Sequence, residues 1–306
     1  MLPGRKYARR GFLALPAPVL PARDYLLYLP GGDRRAQPLP LLVWLHGCRQ
    51  RPEEFALGSG VLRLADEKRA LVLLPRQSQA ANAERCWNWF DPLTASGAGE
   101  AAIVAAQIEQ VAREHPVDRR RIYAAGLSSG GALVAALALR APQLFAAVAV
   151  HSGMPCGAAA SAAGARRAMR RGPETDTDAV AVQARENWKT SGFLPALVIH
   201  GSADGAVVPA NAFRLARQFL ILNGVRREQL PADGSLPDPA ARRAIGGALL
   251  AEARDYAVAD RLVVRLVLVE GLGHAWSGGA DATEYFDPRG PDATRLAWEF
   301  FEAARR

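Results

Sequence analysis

Short apolar runs alternate along this chain with stretches whose apolar residues recur at helical spacing. Leu41–Leu45, Ala70–Leu74, Arg121–Ala125, Phe145–Val150, Leu194–His200 and Leu262–Val269 are rich in Val, Leu and Ala. A strand with one wet face would carry polar residues at every second position. These near-continuous runs therefore read as strands buried on both faces of a parallel sheet. Between them Gly60–Arg69, Ala98–Glu114, Ser129–Leu139, Asn211–Asn223 and Pro291–Ala304 read as helices. The last opens on Pro291-Asp292 and places Leu296, Phe300 and Phe301 at helical spacing. Alternating strands and helices predict the α/β class: a doubly wound, mostly parallel sheet with helices on both faces. Two stretches break the alternation. Residues 156–192 are rich in Ala, Gly and Arg, and residues 225–258 hold Pro231, Gly234, Pro237 and Pro239. Both read as lid or rim insertions rather than separate domains, which leaves residues 1–306 as one domain.

Composition narrows the class. Of 306 residues, 50% are hydrophobic and 22% charged, which excludes a disordered, collagenous or coiled-coil chain. No apolar run reaches the roughly 18 residues of a membrane span. Three cysteines without a Cys-x-x-Cys spacing exclude a disulfide scaffold and argue against structural zinc. The net charge of +8 comes almost wholly from Arg. Its pairs are scattered, and only Arg166 to Arg171 is dense. No aromatic residues interleave with that cluster, so the charge reads as a solubility feature rather than a nucleic-acid site. Arg9-Arg10 precedes a short apolar stretch like an export signal, but Pro16, Pro18 and Pro21 interrupt it. The segment reads instead as an edge strand leading into Asp24–Leu29.

The chemistry is carried by Gly126-Leu127-Ser128-Ser129-Gly130, which lies between a strand and a helix. This Gly-x-Ser-x-Gly turn lifts a serine off the carboxyl edge of a sheet, and glycines are needed where the backbones nearly touch. Ser128 is the central serine, with the following helix amino terminus favouring negative charge beside it. A serine nucleophile needs a base, and the base needs an orienting carboxylate, in the order Ser, Asp or Glu, His. Of five histidines, His46, His115 and His151 fall at the wrong place in that order, and His200 lies inside an apolar strand. His274, in a glycine-rich loop after Leu262–Val269, remains as the base. Asp204 directly follows the strand Leu194–His200 and is the expected acid. The two oxyanion donors expected are the backbone N–H groups of Ser129 and of Cys48, the latter after the strand end His46-Gly47.

Trp87, Trp89 and Trp276 adjoin these loops. They read either as core aromatics or as a substrate-binding wall for an acyl group or polymer chain. Cys48 and Cys86 are a candidate bridge between the oxyanion loop and the tryptophan segment; the alternative is three buried thiols.

His46-Gly47-Cys48-x-Gln50, Cys86-Trp87-Asn88-Trp89-Phe90, Gly126 to Gly131, Ser152-Gly153-Met154-Pro155, His200 to Asp204 with Val208-Pro209-x-Asn211, and Gly273-His274-Ala275-Trp276-Ser277-Gly278-Gly279 occur in this order. Together they resemble the poly(3-hydroxybutyrate) depolymerase family of esterases, of the LpqC type, related to feruloyl and acetylxylan esterases. The resemblance runs from about residue 24 to 304. It implies an α/β-hydrolase fold, a triad of Ser128, Asp204 and His274, and an oxyanion hole near Cys48 and Ser129. It also implies an extracellular or periplasmic location, whereas a chain without an export signal would be cytoplasmic. The activity expected is ester hydrolysis through an acyl-enzyme, on hydroxyalkanoate esters or on feruloyl or acetylxylan esters. An inactive hydrolase fold used for binding is the alternative from another class. No cofactor or metal is implied, and the expected partner is the ester substrate.

Overall fold

The computed structural model describes residues 7–10, 23–31, 37–188, 190, 192–280 and 284–304. Its strands are β1 (Tyr7–Arg10), β2 (Tyr25–Tyr28), β3 (Leu39–Leu45), β4 (Leu71–Pro75), β5 (Val117–Leu127), β6 (Ala147–His151), β7 (Ala196–Gly201), β8 (Ala241–Ile245), β9 (Ala251–Val258) and β10 (Arg261–Val269), with the two-residue β11 (Trp276–Ser277) and β12 (Phe286–Asp287). The helices are α1 (Pro52–Gly58), α2 (Val61–Lys68), α3 (Pro92–Ala95), α4 (Gly99–Glu114), α5 (Ser129–Arg140), α6 (Ala162–Arg171), α7 (Thr177–Asn187), α8 (Ala210–Leu222) and α9 (Ala293–Ala303).

The main sheet runs β1-β2-β4-β3-β5-β6-β7-β10-β9-β8. The six strands from β4 to β10 in this order pair in parallel. They are the six apolar runs of the sequence. Their residues alternate between two cores, as the two-residue period of a strand requires. Leu41, Val43 and Leu45 point to the layer of α4, α5, α7 and α8, while Leu42 and Trp44 point to that of α1, α2 and α9. Helices thus cover both faces, the α/β-hydrolase arrangement.

The edges are antiparallel and differ from the expectation in one place. β2 pairs with β4 and carries β1 outside it. The apolar stretch at residues 11–22 lies outside the described residues. Residues 241–258 correct the expectation of a second rim insertion at 225–258. They form β8 and β9, which extend the sheet beyond β10 by antiparallel pairing. β9 buries Ala251, Ala253 and Tyr256 but leaves much of its other face accessible. That half-buried pattern with Arg and Glu is what hides it from a search for continuous apolar runs. Residues 156–192 hold α6 and α7. Ala165 and Ala168 of α6 pack in a small core with Trp89, Ala132, Met154 and Val207.

The turn from β5 into α5 positions the site. Ser128 has φ 56° and ψ −120°, outside the ordinary regions for a side-chain-bearing residue. Its N–H donates to the His151 carbonyl at 2.9 Å, which ties the turn to the end of β6. A Cβ on Gly130 would stand 2.3 Å from the Leu45 carbonyl oxygen, and one on Gly126 2.5 Å from the Gly130 carbonyl carbon. Both obstacles are backbone and have no rotamer to yield. Gly130→Ala is therefore expected to cost about 3 kcal/mol or more, beyond an ordinary overpacked core. A urea melt that shows less than about 1 kcal/mol of loss would contradict this close approach.

Candidate active site

The carboxyl ends of the parallel strands bring three expected residues together. Ser128 follows β5, Asp204 lies in the loop after β7, and His274 follows β10. The His274 Nδ1 lies 2.8 Å from Asp204 Oδ2, and its Nε2 lies 2.9 Å from Ser128 Oγ. A carboxylate only accepts, so Nδ1 carries the proton and Nε2 offers its lone pair to the serine hydroxyl. Asp204 is buried, and its Oδ1 also accepts the N–H groups of Ala206 and Val207 at 3.0 and 2.8 Å. Burial pushes its carboxyl pKa up, but the hydrogen bond to His274, the Val207 N–H and the neighbouring His200 outweigh it. The net shift is downward, so Asp204 stays ionised near neutral pH. The loops carrying Asp204 and His274 are braced on each other: Ala203 N–H donates to the Leu272 carbonyl at 3.1 Å, and Gly271 N–H to Ser202 Oγ at 2.9 Å.

The two residues expected to supply oxyanion donors are neighbours, with Cys48 Sγ 3.4 Å from Ser129 Oγ. Gly47 packs on the elbow, with its would-be Cβ 3.5 Å from Ser128 Cβ. Its N–H donates to Gln50 Oε1 at 2.8 Å. The buried His46 holds the Gly47 carbonyl through Nδ1 at 2.8 Å, and its Nε2 accepts Gln77 N–H at 3.2 Å. The 47–48 peptide is planar, so fixing its carbonyl also fixes the opposite direction of the Cys48 N–H. Ser129 is the first residue of α5, where an N–H has no intrahelical partner.

Cys48 and Cys86 are disulfide-bonded, which settles the pairing left open above. Cys156 is a buried free thiol. The Ser129 hydroxyl is in contact with Cys48 Sγ at 3.4 Å and accepts the Trp87 N–H at 3.3 Å. Elbow, oxyanion loop and tryptophan segment are thereby one braced unit. Behind it Glu100 accepts from Gln77 and from the backbone and side chain of Asn88.

The reading of Trp87, Trp89 and Trp276 as a substrate wall is corrected. Their exposures are 1%, 4% and 1%, too little to present a ring to a substrate. Trp87 Nε1 donates to the His46 carbonyl at 3.0 Å, Trp276 Nε1 donates to Thr294 Oγ1 at 3.1 Å, and Trp89 sits in the core beneath α6. They brace the catalytic loops from inside.

Three histidines set aside as bases have positioning roles. His151 Nε2 accepts the Ser277 N–H at 3.1 Å, beside the His274 loop, and its ring stacks on Trp276 at 5.2 Å. His200 Nε2–H donates to the Val207 carbonyl at 2.8 Å and so holds the Asp204 loop. With His46, each stands within one residue of a strand end and is followed within two residues by glycine: His46-Gly47, His151-Ser152-Gly153, His200-Gly201. That recurrence is the sequence signal that marks them. His115 lies at the opposite end of β5 from Ser128.

The fold is that of the α/β-hydrolases, and the serine stands on the elbow that this class uses for ester and amide cleavage. The family described as Esterase PHB depolymerase matches residues 23–232, and the chain belongs to it. Over 189 residues the chain is 32% identical to poly(3-hydroxyalkanoate) depolymerase C of Paucimonas lemoignei, covering 61% of this chain and 45% of that protein. It is 28% identical over 210 residues to feruloyl esterase B of Neurospora crassa, covering 65% and 69%. The chain thus spans less than half the length of the first of these relatives. In fold it is similar to an acetyl xylan esterase from Aspergillus awamori, with TM-score 0.72, 18% identity, and coverage of 92% and 94%.

Two outcomes follow from this geometry. Burial lowers the pKa of His46 to about 4 and, with the nearby His200 and His274, that of His151 to about 3. An unfolded histidine titrates near 6.5, roughly, so below that pH the unfolded chain takes up protons that the folded one refuses. Through these histidines stability should be level between about pH 7 and 8 and fall from about pH 6.5 towards 4. An unchanged urea midpoint between pH 7.5 and 5 would refute buried neutral histidines. The disulfide closes a separation of 38 residues. Cys86→Ser should lower stability by about 4 kcal/mol on the loop-entropy account and reduce kcat by loosening Cys48. Full kcat in the variant would mean that the bond does not hold the donor in place.

Proposed function

We propose that this chain is a serine carboxylesterase, one catalytic α/β-hydrolase domain acting through Ser128, His274 and Asp204. The observation that carries this reading is the unbroken relay Asp204 Oδ2, His274, Ser128 Oγ at a strained elbow. His274 Nε2 takes the Ser128 proton as Oγ attacks the ester carbonyl. The carbonyl oxygen becomes an oxyanion, received by the N–H groups of Cys48 and Ser129. The carbon–oxygen bond to the alcohol breaks, and the imidazolium returns its proton to the departing alkoxide. Water, deprotonated by the same Nε2, then attacks the acyl-enzyme and releases the carboxylate and Ser128. Asp204 holds the tautomer and stabilises the imidazolium throughout.

Hydroxyalkanoate esters are the proposed substrate class, supported by family membership and by the depolymerase relative. A second reading, esterase action on feruloyl or acetylated sugars, is favoured by the relatives named for those activities. The binding-only alternative has no support in a site whose three catalytic groups are in hydrogen-bond reach. A fluorophosphonate probe should label the wild type and not Ser128→Ala, and the variant should lose at least about four orders of magnitude in kcat. An unlabelled wild type would sink the enzyme reading. Hydroxybutyrate oligomers, feruloyl sugars and acetylated sugars, assayed side by side, decide the substrate class by kcat/KM.

A further inference from the structure

The expected solubility role of the basic cluster leaves its place unexplained. α6 turns Ala165 and Ala168 inward and leaves Arg166, Arg167, Arg170 and Arg171 exposed. Residues three and four apart share a helix face, so the four arginines form one stripe opposite the alanines. The helix contains no acidic residue. Arg167 reaches Glu174 at 3.6 Å, and among the described residues no acidic partner stands beside the other three. Such a stack of like charges disfavours the helix.

The position of α6 gives the stripe a use. The Met169 carbonyl accepts the Val208 N–H at 2.8 Å, and the Ala168 carbonyl accepts from Asn211 Nδ2 at 2.9 Å. Val207, adjoining Val208, donates its N–H to Asp204. The inner face shares a core with Val207 and with Ala132, one turn beyond Ser128. α6 therefore forms the first layer over the loops that hold Ser128 and Asp204, with the arginines on its solvent face.

A hydroxyalkanoate oligomer has a hydroxyl end and a carboxylate end. When an internal ester is attacked, the hydroxyl end stays in the acyl-enzyme and the carboxylate end departs with the alcohol. We propose that the arginine stripe of α6 receives this carboxylate end, so that the enzyme selects short acid-terminated oligoesters. This inference rests on the hydroxyalkanoate reading above. Guanidinium suits the role because it stays charged and pairs with carboxylates through two parallel hydrogen bonds.

The test compares the 3-hydroxybutyrate trimer as free acid with its methyl ester, and p-nitrophenyl butyrate serves as a neutral reference. The wild type is expected to favour the acid by about tenfold in kcat/KM at low salt, mostly through KM, and to lose the preference near 0.5 M salt, where the screening length shrinks to a few ångströms. The double variant Arg166→Glu/Arg170→Glu should abolish the acid-to-ester ratio at any salt, and Arg166→Gln/Arg170→Gln should give an intermediate ratio. Arg120→Glu, one such charge reversal at the amino end of β5, should leave the ratio in place. A ratio cancels losses from misfolding, which lower both rates. Equal rates on acid and methyl ester in the wild type, or a ratio untouched in the double variant, overturn the stripe assignment alone. Cleavage of p-nitrophenyl butyrate with neither trimer hydrolysed overturns the hydroxyalkanoate reading, and the assignment with it.

Discussion

The site depends on one backbone constraint: Ser128 is held at φ 56° and ψ −120° between a strand and a helix. Such a conformation costs on the order of 1–3 kcal/mol and persists only where its surroundings over-determine it. Here they do. The Ser128 N–H is bound by β6, Gly130 lies against the end of β3, and Gly126 lies against Gly130. Three central strands grip one turn, and the buried sheet around them supplies the cohesion. The strain is local, whereas the restraint is spread over the most buried part of the molecule.

The other catalytic loops are held by a different device. His46, His151 and His200 are buried, and burial keeps all three neutral by lowering their pKa values. A neutral imidazole has one donor and one acceptor on opposite sides of a rigid ring. It can therefore hold two backbone groups at a set separation, as His46 does with the Gly47 carbonyl and the Gln77 N–H. A charged imidazole would offer two donors and would lose the Gln77 and Ser277 contacts. His274 differs in kind. It is less deeply buried, and its Nδ1 bonds directly to the Asp204 carboxylate, whereas His200 Nε2 lies 3.5 Å from that carboxylate and is committed to the Val207 carbonyl. The same side chain thus serves as a brace or, in the proposed mechanism, as the base, according to its neighbours.

This division explains what could be read from the sequence. Ser128, Asp204 and His274 were legible because each follows a strand of the continuous apolar type, and the chain order admits few alternatives. The six parallel strands were legible for the same reason, since burial on both faces leaves a one-dimensional trace. β9 was not, because Glu252 and Arg254 alternate with Ala251 and Ala253 in a strand with one wet face. The tryptophans were ambiguous because proximity in sequence to a catalytic loop does not say on which side of the loop a ring lies. Their burial is decided by contacts with residues such as Thr294 and His46, far away along the chain. The bracing histidines were visible only as failures to be the base, since a hydrogen bond to a distant backbone group leaves no local pattern.

The charge of the chain takes on a different meaning once its partners are placed. Many arginines are offset where they stand: Arg49 by Glu84, Arg119 by Glu109, Arg265 by Asp255, Arg289 by Asp287 and Arg295 by Glu67. Exposed pairs of this sort contribute little to stability, about 0–1 kcal/mol each. Their larger effect is on the field, because the opposite charges of a pair largely cancel at distances well beyond their separation. The buried Arg217 is likewise offset by Asp178. A net charge of +8 is therefore not spread evenly over the surface. On α6 three neighbouring arginines stand without an acidic partner among the described residues, and this helix packs over the catalytic loops. A patch of uncompensated positive charge therefore stands on the helix that packs over these loops, and the placement of the pairs, more than the total, makes it so.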